Sequence, residues 1–114
     1  MIKKFIDLNE TGYLIHRTSK SKGFYDVDVI DVNFVLSKIA LLHSECTEVL
    51  EAVRKDQGED KIMDELADVA IRLLDLVEAL KDGEFIDKQL LLQDAIENKM
   101  KVNSERPQRH GVLA

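Results

Sequence analysis

The sequence predicts an all-α fold, a four-helix bundle, and three observations predict it. Among 114 residues there is one proline, at position 107, so little interrupts a helical backbone. Aromatic residues make up 5% with no tryptophan, where a β-sandwich would need more aromatics and more turns. Long stretches between the glycines repeat Leu, Ile, Val and Ala at helical spacing.

Each helix has its own signals. The first is expected at roughly 2–18, before the polar loop Ser19-Lys20-Ser21-Lys22-Gly23. The second is expected at roughly 30–56, with Asp31 as a candidate cap and Gly58 beyond its end. The third, roughly 60–82, is closed by Asp82-Gly83. The fourth runs at roughly 86–105. After Pro107 the tail Gln108-Arg109-His110-Gly111 should be irregular. No repeat or interdomain linker is visible, so residues 1–114 are expected to form a single helical domain, its tail irregular from about 106.

Charge narrows the function. Sixteen Lys and Arg against twenty-two Asp and Glu give a net charge of −6, whereas a binder of nucleic-acid polymers needs a basic face. No uninterrupted apolar run exceeds four residues, so no membrane span is expected. The first residues do not read as a secretory signal. A single cysteine, Cys46, excludes an intrachain disulfide and suits a reducing cytoplasm.

Helical wheels single out four acids. On the second helix Leu41, Ala52, Val49, Leu42, Val35, Val53, Cys46, Ile39 and Leu50 form one apolar arc. Glu45 falls inside that arc and Glu48 on its edge. On the third helix Glu65 borders the apolar arc, and Asp68, Arg72 and Asp75 follow on the same flank. Ionised carboxylates on a packing face are costly unless something neutralises them, and four together repel. A divalent cation removes both problems, and oxygen ligands without His or Cys favour Mg²⁺, with Mn²⁺ as a substitute. Taken singly, an i,i+3 acid pair is more often a solvated face. Asp75 is expected to be one, and Asp68 with Arg72 an i,i+4 ion pair. Di-iron chemistry would need E-x-x-H pairs, which are missing.

These residues resemble a known family. Glu45-Cys46-Thr47-Glu48, followed after sixteen residues by Glu65-Leu66-Ala67-Asp68, is similar to the E-x-x-E…E-x-x-D signature of MazG-like nucleotide pyrophosphohydrolases, which are all-α NTP pyrophosphatases. Leu41 to Glu45, Leu50 to Arg54 and Asp68 to Asp75 read like the family's core helices. Lys22-Gly23-Phe24 resembles the loop before them. Lys99 to Pro107, then His110-Gly111, look like its K-x-x-x-N-x-x-R-P…H-G tail. The likeness covers roughly residues 16–111. Ser44 stands where many members have a second Glu, Thr47 where many have Gly, and Tyr25 where many have Trp. The first two leave the acids intact; the third bears on base preference.

The resemblance implies an oligomer (homodimer or homotetramer) that hydrolyses a nucleoside triphosphate between its α and β phosphates with Mg²⁺. Glu45, Glu48, Glu65 and Asp68 would hold metal, and either Glu45 or Glu48 would orient or deprotonate the attacking water. Lys99, Asn103 and Arg106 lie within about 60° of one another on the fourth helix and would hold phosphate or sugar. Phe24 would stack on the base, although core packing of Phe24 or Tyr25 is an equal expectation. His110 is expected in the tail, Cys46 in the core, and His16 and His43 in structural positions. Ile71 and Leu74, beyond the main apolar arc of the third helix, are expected to meet a second copy. Two readings compete with this one: a phosphoribosyl-ATP pyrophosphohydrolase, and a non-catalytic helical oligomerisation or regulatory module.

Overall fold

The computed structural model describes residues 7–107, which form four helices and no strand. They are α1 (Leu8–Ser21), α2 (Val32–Arg54), α3 (Glu59–Asp82) and α4 (Leu92–Ser104). The expectations for residues 2–6 and for the tail from Gln108, His110 included, lie outside the described residues. None of these helices is long and apolar enough to cross a membrane.

Local chemistry fixes the ends, and it moves several expected boundaries. The Asp7 carboxylate accepts from the backbone N–H groups of Asn9 and Glu10, which starts α1 at Leu8. α1 continues through the polar stretch to Ser21, three residues past the expected end. There Gly23, at φ +81°, lets the Phe24 N–H reach the Ser19 carbonyl and the Gly23 N–H reach that of Lys20. That turn sets Phe24 and Tyr25 beside the helices. Asp31 caps α2 as expected, accepting from the Phe34 N–H.

At the end of α3 the glycine plays a different part from the one expected. Glu84, at φ +63°, occupies the left-handed position, with the Phe85 N–H on the Leu80 carbonyl. Gly83 keeps φ −83° and is needed for space instead. A Cβ there would stand 2.9 Å from both Cγ2 and the carbonyl oxygen of Ile30. Gly83→Ala is therefore expected to lower stability by about 1–3 kcal/mol, because the backbone oxygen cannot yield cheaply. A melting temperature within about 2 °C of the parent would show that the contact relaxes. α4 begins six residues later than expected, because Asp87 accepts from the Gln89 N–H and turns the chain.

α3 is the central helix, with α2 on one side and α1 on another, while α4 leans mainly on α1. Gly12 of α1 is buried against Leu74, close enough that the helix backbones nearly touch. Leu74 is therefore covered within the chain, which corrects the expectation that it meets a second copy. Val35, Ala52, Leu74, Leu76 and Ala79 form the buried core. It is thin. Of the apolar arc read on α2 only Val35 and Ala52 are buried, whereas Leu41, Leu50 and Val53 are exposed. Cys46, expected in the core, is exposed too. α2 packs mainly on α3, and the arc is wider than that contact.

Candidate functional site

The crossing of α2 and α3 brings together three of the four acids read from the sequence. One carboxylate oxygen from each of Glu45, Glu65 and Asp68 lies within 4.8 Å of the others. Glu65 is buried, Glu45 half-buried and Asp68 exposed, so the group opens to solvent on one side. Glu48 stays outside it and is exposed.

Two cations already compensate these acids. The Lys61 ammonium sits 2.8 Å from Glu65 Oε2, one turn away on the same helix. Its hydrogen bond to Glu65 and that carboxylate's charge hold Lys61 above its ordinary pKa, and the Glu48 charge adds to the pull. Arg72 Nε donates to Glu45 Oε2 at 3.1 Å, across the helix interface. The expected Arg72–Asp68 pair within α3 is not formed, because the inter-helix acceptor is better placed and less hydrated. The donor set is all carboxylate, with no thiolate or imidazole. It fits a small hard divalent cation.

A cavity of about 300 Å³ adjoins this group. Glu45, Asp68, Arg72 and Asp75 line it together with Phe24, Ser19 and Ile71. Phe24 is 55% exposed at the rim, with its ring free of the core. Tyr25 turns the other way, half-buried, stacking edge-on against His16 and tilted on Phe34. A groove of about 610 Å³ between residues 25–30 and the end of α3 is larger, but it carries Asp26, Asp28, Asp82 and Glu84. None of the three converging acids lines it.

Behind the cavity lies a buried charge network that the sequence reading misplaced. Asp75, expected on a solvated face, is 5% exposed. Its Oδ1 accepts from His16 Nδ1 at 2.7 Å and its Oδ2 accepts from the Tyr25 hydroxyl. His16 Nε2 reaches Asp82 Oδ2 at 2.8 Å, and the Lys20 ammonium reaches the same oxygen at 2.8 Å. With a carboxylate on each ring nitrogen, His16 can satisfy both only as the doubly protonated imidazolium. Burial works against that charge. The hydrogen bonds and charges of Asp75 and Asp82 outweigh it, and the His16 pKa lies above its ordinary 6.5. Burial likewise raises the pKa of Asp82, but the contacts from Lys20 and His16 win and hold it low. Burial and the bond to Asp75 both push the Tyr25 hydroxyl upward. His16 is structural, as read from the sequence; His43 is exposed.

Lys38, not singled out in the sequence, stands with its ammonium 4.2 Å from the Tyr25 ring centre and 5.2 Å from that of Phe34. Its position one turn after Phe34, on the flank of an apolar arc, was the signal available. Burial lowers its pKa. Lys99, Asn103 and Arg106 are all exposed, and among the described residues no hydrogen bond or ion pair joins their side chains to the carboxylate group. The fold keeps that stripe apart from the acids of its own chain, because α4 packs mainly on α1.

A family model described as the MazG nucleotide pyrophosphohydrolase domain matches residues 35–110. That span takes in all four acids, Arg72, and the Lys99, Asn103 and Arg106 stripe. No curated protein and no solved structure matches the chain.

Proposed function

The chain belongs to the MazG nucleotide pyrophosphohydrolase domain family, and from that premise we propose a Mg²⁺-dependent cleavage of nucleoside triphosphates, ribo- or deoxyribo-, to the monophosphate and pyrophosphate. Membership makes it an enzyme on nucleotides and leaves the non-catalytic module without support. The observation that carries the finer reading is the convergence of Glu45, Glu65 and Asp68 beside a cavity with an exposed aromatic rim.

In this reading Glu45, Glu65 and Asp68 hold the cation, with Mn²⁺ able to replace Mg²⁺. Once bound, the cation neutralises charge developing on the phosphate oxygens. Glu48, outside the converging group, is the carboxylate left to orient the attacking water and take its proton. Phe24 stacks on the base at the cavity rim. Lys99, Asn103 and Arg106 bind phosphate or sugar, and a second copy of the chain is what brings such a stripe to the acids. A homodimer, alone or paired into a tetramer, would also cover Leu41, Leu50 and Val53 of α2 and Leu66, Ile71 and Leu73 of α3, all exposed in the single chain. The enzyme acts in the cytoplasm on free nucleotides rather than on nucleic-acid polymers.

The test is pyrophosphate release from a panel of nucleoside triphosphates, with phosphoribosyl-ATP included, in Mg²⁺, in Mn²⁺ and in excess chelator. Release from a triphosphate that chelator abolishes is expected. Turnover undiminished by chelator, or confined to phosphoribosyl-ATP, overturns the reading. For the stripe, Lys99→Ala and Arg106→Ala should each lower kcat/KM by about one to two decades, the worth of a charge-assisted contact. Their metal affinity should not change. Sedimentation that gives a monomer at micromolar concentration would remove the second copy from the scheme.

A further inference from the structure

We propose that Arg72 is a hand-over residue: it holds Glu45 while the carboxylate group is free of metal, and it binds the substrate's phosphates once a cation has taken Glu45. The proposal rests on the pyrophosphohydrolase reading and adds to it a phosphate ligand from the same chain as the acids.

The geometry starts with a choice the side chain has made. A guanidinium on α3 has Asp68 one turn before it, the partner that an isolated helix would offer. Arg72 instead crosses to α2 and puts Nε on Glu45 Oε2. Its side chain is about one-third exposed and that of Glu45 17%, so the pair is partly withdrawn from water and stronger than a surface pair. An Arg has five N–H donors. Among the described residues only the Nε–H of Arg72 has an acceptor within hydrogen-bond distance. The other four belong to a side chain that lines the cavity.

The remaining cations near the cavity are committed elsewhere. Lys38 lies over the Tyr25 and Phe34 rings. Lys61 serves Glu65 from the same helix with half its side chain in water. Arg72 is thus the one cation, among the described residues, that both lines the cavity and occupies an acid proposed to bind metal. A divalent ion and a guanidinium would compete for the single negative charge of Glu45, and they repel each other. Metal binding therefore frees Arg72 in a cavity with acid walls, where the next anion to arrive is a triphosphate. Its planar fork matches two phosphate oxygens at once.

The two halves of the hand-over have opposite signs, which makes them testable. Mn²⁺ alone is titrated into the parent, Arg72→Ala and Arg72→Lys by calorimetry, followed by the Mn²⁺–tripolyphosphate complex into each Mn²⁺-saturated protein. Arg72→Ala should bind Mn²⁺ about three- to tenfold more tightly, since its competitor is gone. It should bind tripolyphosphate at least about tenfold more weakly. Arg72→Lys keeps the charge without the fork and should leave Mn²⁺ near parent affinity with a partial loss of tripolyphosphate. It also carries the test if the Ala variant does not fold. Tighter binding of both probes by Arg72→Ala would mean that Arg72 does not hold the phosphates. A through-space charge effect would instead leave Arg72→Lys at full parent affinity for tripolyphosphate. Unchanged or weaker Mn²⁺ binding would mean that Arg72 only positions Glu45. Any of these results overturns the proposal. A parent that binds no Mn²⁺ overturns the metal reading itself, and the hand-over falls with it.

Discussion

Replacing Glu45 by Gln is expected to abolish pyrophosphate release, with kcat lower by about three decades or more, and to weaken Mn²⁺ binding by at least about tenfold. The amide keeps the shape and removes the charge. That charge serves as one of three converging carboxylates, so its loss withdraws several kcal/mol from the stabilisation of phosphate charge. Glu48→Gln separates the roles: it should lower kcat by a similar margin while Mn²⁺ affinity stays near that of the parent, because Glu48 lies outside the converging group. Glu45→Gln with normal turnover would remove Glu45 from the site. Glu48→Gln with metal affinity lost as deeply as in Glu45→Gln would make Glu48 a ligand rather than the proton acceptor. The sequence alone suggests that Glu45→Gln also stabilises the metal-free protein by relieving repulsion. With Arg72 on Glu45 and Lys61 on Glu65, that gain is offset by a lost ion pair, and little net change is expected.

The second large effect is on stability. Asp75→Asn is expected to destabilise the fold by about 3 kcal/mol or more, because it leaves the buried His16 charge with only Asp82. For a chain of this size that is a drop of at least about 12 °C in melting temperature. The same network sets a pH dependence. The folded state raises the His16 pKa, so it binds the proton more tightly than the unfolded chain does. The resulting stability is fully present below about pH 6.5 and is lost as pH rises through the higher folded value. Denaturant unfolding at pH 6 and at steps up to pH 9 should show this decline in the parent and a weaker one in Asp75→Asn. A melting temperature within about 2 °C of the parent, or an equal slope in both proteins, would contradict the network's role.

Much of the fold was legible because helices are written in local terms. The Asp31 cap, the turn at Gly23 and the long periodic stretches depend on neighbours within a few residues, and all appear where the sequence puts them. Boundaries slipped where a side chain competed with the helix, as Asp87 does before α4. They also slipped where a polar stretch continued helical to a glycine, as in α1.

The sequence by itself determined the helical class, the catalytic family through the spacing of Glu45, Glu48, Glu65 and Asp68, and the all-carboxylate chemistry of the candidate site. Those follow from residue type and from distance along the chain. Only the tertiary structure decided which side chains meet. It paired Arg72 with Glu45 rather than Asp68, buried Asp75 on His16 and Tyr25, covered Leu74 with Gly12, and set Lys99, Asn103 and Arg106 apart from the acids of their own chain. A helical wheel gives the direction of a side chain but not what stands opposite. α3 packs on both α1 and α2, which buries Leu74, Leu76 and Ala79, yet Leu66 and Leu73 of α3 stay in water as Leu41, Leu50 and Val53 of α2 do.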